Sequence, residues 1–149
     1  MSYLGMTMDF SVPGKAKCTM EGYVQDPLRM CEVQGSATSP AAENLFDVSE
    51  SSPPLASAQR ERFHSLVAKL LYLAKRVRPD LIVSVSFLAT RVLCATEQDI
   101  IKLTRALKYL RSTADLGLTL MTSSLSLGMS MHPTGCTSMA RATPALLSV

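Results

Sequence analysis

The stretch RFHSLVAKLLYLAKRVRPDLIVSVSFLATRV, residues 62–92, constrains the fold more than any other part of the chain. Two apolar-periodic segments meet there at Arg78-Pro79-Asp80. Proline lacks a backbone N–H and clashes with the turn before it, so it breaks a running helix but suits the first turn of a new one. The spacing therefore predicts a helix over 59–77, a turn at 77–79 and a second helix over 79–94. Leu66, Val67, Leu70, Leu71 and Leu73 follow a near-helical repeat on the first helix. The second is apolar nearly all round, with Leu81, Ile82, Val85, Phe87, Leu88 and Val92, and is expected to be the most buried element.

A third helix is expected from the cap Thr96-Glu97-Gln98-Asp99 to about Ser112, with acids at the positive end of the helix dipole. At 100° per residue, Ile100, Leu103, Leu107 and Leu110 share one face, while Lys102, Arg105 and Lys108 share the opposite one. One face packs and the other is expected to be free for phosphate, although an ordinary solvated basic face has the same pattern.

Before these helices, residues 3–10 alternate as a strand does, Pro13-Gly14 signals a turn, and 16–20 can return as the hairpin partner. A short amphipathic helix is expected over 22–33, started or kinked by Pro27. Residues 34–58 are rich in Ser, Ala and Pro and read as a long connector, the most mobile internal segment. Residues 121–149 are rich in Ser, Thr, Met and Ala without a period, and are expected to be a disordered tail. The fold class is thus α+β, mainly α with a small amino-terminal β-hairpin. Its zones are 1–33, 34–58, 59–120 and 121–149.

With 47% hydrophobic and 18% charged residues, wholesale disorder is excluded and a modest core is affordable in 149 residues. That core contains no Trp and draws on nine Met, which pack adaptably but specify shape poorly. Cys18, Cys31, Cys94 and Cys136 are scattered, with no Cys-x-x-Cys pair and only His64 and His132 as imidazole partners, so neither a metal site nor a disulfide framework is expected. There is no amino-terminal signal of the secretory kind, and reduced thiols in the cytoplasm or nucleus are the expectation. The longest lipophilic run, 81–89, falls short of the ~18–20 residues that span a bilayer, so no membrane segment is expected.

The net charge of +3 hides an asymmetry. Residues 1–58 carry three basic and seven acidic side chains, whereas 59–111 carry eleven and four. The helical middle is the basic part, and such a cluster can lie along a polyanion, where each neutralised phosphate releases counterions.

Three motifs, in order, resemble the carboxy-terminal part of the reverse transcriptase of copia-type retrotransposons over roughly residues 2–120. SYLGM at 2–6 resembles the Tyr/Phe-Leu-Gly that follows the polymerase palm. FHSLVAKLLYLAKRVRPDL resembles the family's Tyr-Arg-Ser-Leu-Val-Gly-Ser-Leu-Leu-Tyr-Leu-Ala followed by Thr-Arg-Pro-Asp-Ile, and LTRALKYLRSTADLGLTL resembles its Arg-Val-Leu-Arg-Tyr-Leu-Lys-Gly-Thr followed by Gly-Leu. The resemblance implies a three-helix thumb and connection fragment that holds template-primer duplex, RNA–DNA or DNA, through its backbone rather than by base sequence. Tyr3, Leu4 and Gly5 match the hairpin that grips the primer terminus. Lys75, Arg76, Lys102, Arg105 and Lys108 are the basic residues expected to meet phosphate. Arg78, Pro79 and Asp80 match the family's most recognisable triplet, here read as a mark of the fold, with Pro79 starting a helix and Asp80 supporting its amino end.

Polymerisation in this family needs Mg on a carboxylate cluster. Those aspartates lie upstream of the position matching Tyr3, and no Tyr-x-Asp-Asp occurs in this chain. No catalytic residue, metal ligand or cofactor is expected in it; its partners are the duplex and the family's palm and RNase H domains. Pro27, and His64 where the family usually has Arg, depart from the pattern and suggest a degenerate copy. One codon choice for 129–145, read with its first two bases skipped, gives Val-Asp-Ala-Ser-Tyr-Gly-Val-His-Val-Asp-Gly-Lys-Ser-His-Thr-Gly. That peptide resembles the start of the RNase H domain, which implies a frameshifted tail. The alternative is a stand-alone helical interaction module whose apolar helix, 81–92, packs against a partner protein.

Overall fold

The computed structural model describes residues 2–122. Of the tail expected to be disordered or frameshifted over 121–149, residues 123–149 lie outside the described residues. The class is α+β: a four-stranded antiparallel sheet and four helices.

The amino-terminal strand expected over 3–10 is in fact two, β1 (Ser2–Tyr3) and β2 (Met6–Asp9). Between them Leu4 and Gly5 both have positive φ, 51° and 79°, which turns the chain through a tight hairpin with Ser2 opposite Thr7 and Tyr3 opposite Met6. Alternation of side chains does not reveal such a turn, and Leu is a poor residue for it, because its Cβ crowds the backbone at positive φ. Gly14, at φ 75°, makes the expected turn into β3 (Lys15–Thr19), which pairs Met8 with Cys18.

Helix α1 (Glu21–Cys31) contains Pro27, which is buried in its interior rather than starting it. It ends on Glu32 in the left-handed conformation. Residues 32–56 contain no helix or strand beyond an isolated bridge between Pro54 and Thr96. This connector is nevertheless packed, with Leu45 and Leu55 both buried.

Helices α2 (Ser57–Arg76), α3 (Ile82–Thr90) and α4 (Glu97–Ser112) follow the expected order. The second predicted helix is shorter than 79–94, because single 3-10 turns at Pro79–Leu81 and Val92–Cys94 flank α3. Nor is it buried all round. Leu81, Val85 and Leu88 are fully buried, whereas Val83 is 58% and Leu93 86% exposed. Its surroundings cover one side only, so apolar character all round does not translate into burial all round.

The core joins Phe63, Leu66, Val67, Leu70 and Leu73 of α2 to Val85 and Leu88 of α3 and to Leu103, Leu107 and Leu110 of α4. Truncating any fully buried Leu here is worth about 2–5 kcal/mol. Met20 and Val24, each 2% exposed, carry the core from β3 into α1 and under the sheet.

Residues 118–121, read from sequence as the end of the helical zone and the start of the tail, instead form β4 (Leu118–Met121). It pairs with β3, Lys15 opposite Met121 and Cys18 opposite Leu118, and brings the two ends of the described chain together. Gly117 permits the approach: a Cβ there would lie 2.5 Å from the Cys18 carbonyl oxygen and 2.8 Å from Thr19 Cγ2.

Candidate nucleic-acid interface

The eight basic and hairpin residues expected to meet nucleic acid fall into two separate groups. The first forms around the β1–β2 turn. The Tyr72 hydroxyl, four residues before the end of α2, donates to the Leu4 carbonyl at 3.1 Å across a sequence separation of 68. The Arg76 guanidinium stands over the Tyr72 ring at 5.1 Å, and Tyr23 of α1 packs on the same ring with centroids 5.1 Å apart. Tyr3, Leu4 and Gly5 are exposed, as are Lys75 and Arg76 on the last turn of α2. A turn with exposed side chains is therefore tied through Tyr72 to Arg76, which the aromatic face pre-orients, and Lys75 is the exposed cation next to it on α2. Gly5 meets nothing closer than Met20 Cε at 3.6 Å, so its lack of a side chain serves the turn's backbone. Tyr72 is the residue that sequence reasoning missed: its place in an apolar repeat gave no sign that its hydroxyl reaches another element.

Lys102, Arg105 and Lys108 form the second group, along one face of α4 as their spacing predicts. That face is not free. The connector lies over it, and all three side chains are half-buried. Lys102 Nζ donates to the Asp47 carbonyl at 2.5 Å and lies 5.0 Å from the centre of the Phe87 ring. Arg105 Nη2 donates to the Ser39 hydroxyl at 3.1 Å, and a Cβ on Gly35 would sit 3.8 Å from Lys108 Cε. Arg111 Nη1 to the Val33 carbonyl, 2.6 Å, and Ser112 Oγ to the Ala37 carbonyl, 3.1 Å, extend the seam. The physical reason is that an irregular connector must place its carbonyls somewhere, and a row of cations accepts them.

The Arg-Pro-Asp triplet is inside the fold. Arg78 is 2% exposed. Its Nε and Nη2 engage the Asp80 carboxylate, at 3.0 and 2.7 Å, while Nη1 reaches the Thr113 carbonyl at 2.7 Å and Nη2 the Thr113 hydroxyl at 2.6 Å. Tyr109 donates its hydroxyl to Asp80 at 2.8 Å and lies under the guanidinium. Burial pushes the Asp80 carboxyl up, but hydrogen bonds from Arg78 and Tyr109 and the Arg78 charge outweigh it and hold the group below the usual carboxylate range. The triplet thus clamps the start of α3 to the end of α4.

Among the described residues no three His, Cys, Asp or Glu converge on a point that would hold a metal ion. Asp9 bonds to Ser11, Asp26 pairs with Lys69 at 3.7 Å and Asp47 is exposed on the connector, so these residues do not fit a two-Mg carboxylate site. Cys18, Cys31 and Cys94 are free thiols, and burial raises the pKa of Cys31. No helix among the described residues is long and apolar enough to cross a membrane. Compared with protein-family models, characterised proteins and solved structures, the chain matches none.

Proposed function

We propose that this chain is a thumb and connection fragment of a copia-type retrotransposon reverse transcriptase polyprotein, contributing weak binding of template-primer duplex without the catalytic palm. The reading rests on the three ordered motifs. The observation that supports the binding surface is the link from the β1–β2 turn through Tyr72 to Arg76, with Lys75 exposed beside it on α2. A duplex offers one negative charge per about 1.7 Å of axis, and such a patch needs no base contacts to hold it. The surface proposed is therefore Tyr3, Leu4 and Gly5 with Lys75 and Arg76. Lys102, Arg105 and Lys108 would join it only where the connector leaves them. The expected partners are an RNA–DNA or DNA duplex backbone and the family's palm and RNase H domains, with Mg belonging to the intact family enzyme. The proposed setting is intracellular, in cytoplasm or nucleus.

Fluorescence anisotropy with an RNA–DNA hybrid is the test. The affinity is expected to fall steeply with salt, and the double variant Lys75→Gln/Arg76→Gln to flatten the log–log salt slope by about 2. Binding that is independent of salt, or equal in the double variant, counts against the proposal. The alternative of a protein-binding helix is less favoured, since Leu81, Val85 and Leu88 are spent inside the chain's own core.

A further inference from the structure

We propose that the hollow between the connector and α4 is a binding site for a small oxyanion, a phosphate or carboxylate group, held by Arg105 and Lys102. The hollow has a volume of about 230 Å³. Leu45 of the connector and Ile101 of α4 are its apolar walls, Asn44 and Gln98 bring amide groups, and Lys102 and Arg105 bring charge. A more open, adjoining hollow that shares Ala41, Ala42 and Asn44 also reaches Arg105. Apolar walls with a few converging polar groups are the usual make-up of a small-molecule site.

The charges in the hollow are uncompensated. Among the described residues the ion pairs are Lys69–Asp26, Arg78–Asp80 and Arg91–Asp99, none of which involves Lys102 or Arg105. Both give their hydrogen bonds to neutral acceptors instead, the Asp47 carbonyl and the Ser39 hydroxyl. Arg105 Nε is shut off from solvent with no acceptor at all. A guanidinium has five N–H donors in a flat fork and an ammonium has three. Arg105 Nε is the donor left without an acceptor, and a buried donor in that state is unfavourable. An oxyanion would replace neutral contacts by charge-assisted ones, which are shorter and about twice as strong. A turn of the guanidinium within the hollow would present its Nε edge to the ligand.

Size distinguishes the ligand from a polynucleotide: a hollow of about 230 Å³ takes a compact anion and not a duplex. Glu43 lines the adjoining hollow that also reaches Arg105, and its carboxylate opposes an anion on that side. The site is separate from the duplex surface proposed at the β1–β2 turn and does not depend on it.

The test is titration of the full chain with inorganic phosphate against sodium chloride of matched ionic strength, followed by amide NMR. Saturable shifts are expected at Ser39, Asn44, Gln98 and Arg105, with Arg105→Gln weakening phosphate by about tenfold or more, the scale of one lost charge-assisted contact. Lys75→Gln/Arg76→Gln should leave phosphate binding unchanged, whatever it does to duplex binding. Shifts that do not saturate or that chloride reproduces overturn the proposal, as does undiminished affinity in Arg105→Gln. Should that variant unfold, Lys102→Gln decides: weakened phosphate binding supports the site, and full affinity overturns it. An RNA–DNA duplex that perturbs these amides when inorganic phosphate does not overturns the assignment to a small anion.

Discussion

Arg78 is the residue on which the junction of the helices turns. Its guanidinium is nearly fully buried, and five of its contacts go to Asp80 and Thr113. Arg78→Met keeps the apolar stem but strands the Thr113 carbonyl and the Asp80 carboxylate. Breaking a buried pair from one side costs about 3–5 kcal/mol, and the lower end applies because the Asp80 side chain keeps 34% of its surface in water. A Lys in its place supplies one point charge where the site asks for a fork. The pH dependence has a definite sign. Asp80 has a folded-state pKa held low, so its contribution is fully present above the unfolded carboxyl value of about 4 and is lost as pH falls through that value toward the folded one. Urea denaturation across pH 2–7 should show this acid loss in the wild type. Arg78→Met should be weaker by about 3 kcal/mol at neutral pH and show a shallower loss; equal slopes in both would remove Arg78 as the cause.

Among the elements, β4 is the one whose place depends most on a single residue. A side chain at 117 would press into the Cys18 carbonyl, a backbone atom that cannot swing aside. Gly117→Ala is therefore expected to destabilise by about 1–3 kcal/mol, the range for forced overpacking, and to speed hydrogen exchange at the β3–β4 amides while the α4 amides keep their protection. Unchanged exchange on both strands would show that the sheet accommodates the methyl group. Helix α4 illustrates the opposite case, an element whose start was legible. Thr96 and Asp99 were recognisable as a cap, and the Asp99 carboxylate accepts from the Thr96 backbone N–H at 2.9 Å and the Thr96 hydroxyl at 3.1 Å. Arg91 Nε, 3.5 Å away, adds a charge that no local pattern announced.

For the whole molecule, the described fold leaves a good deal of apolar surface outward. Tyr3, Leu4, Phe10, Val12, Leu120 and Met121 are each at least half exposed on or beside the sheet, and Val83 and Leu93 on the second helical region. Exposure on this scale is what a segment shows when further protein normally packs against it, and it accords with the proposed polyprotein origin. The nucleotide sequence of the locus tests that origin directly. A Tyr-x-Asp-Asp segment is expected in the bases before Met1, and an RNase H reading is expected to continue in the shifted frame beyond the codons for 129–145. Absence of both would leave the basic helices to be explained as a bounded binding module.

The helices were legible because their cause is local. A 3.6-residue apolar repeat, a proline that favours the first turn of a helix and a Thr–Asp cap act within a few residues of chain, so α2, the break at 77–79 and the span of α4 follow from order alone. Pro79 opens the helical turn ahead of α3 as its residue type predicts, whereas nothing local announced the burial of Arg78 or its reach to Thr113. What the sequence could not decide were contacts between residues far apart along it. Pairing of β3 with β4 spans about a hundred residues, and its loop-closure entropy is repaid only once the helices between them have packed. The Tyr72 contact with Leu4 and the connector's cover over Lys102 and Arg105 are of the same kind. Periodicity told which face of α4 was basic; only the tertiary structure decided what lies upon it, because a cationic side chain donates to any oxygen that the rest of the chain brings within reach.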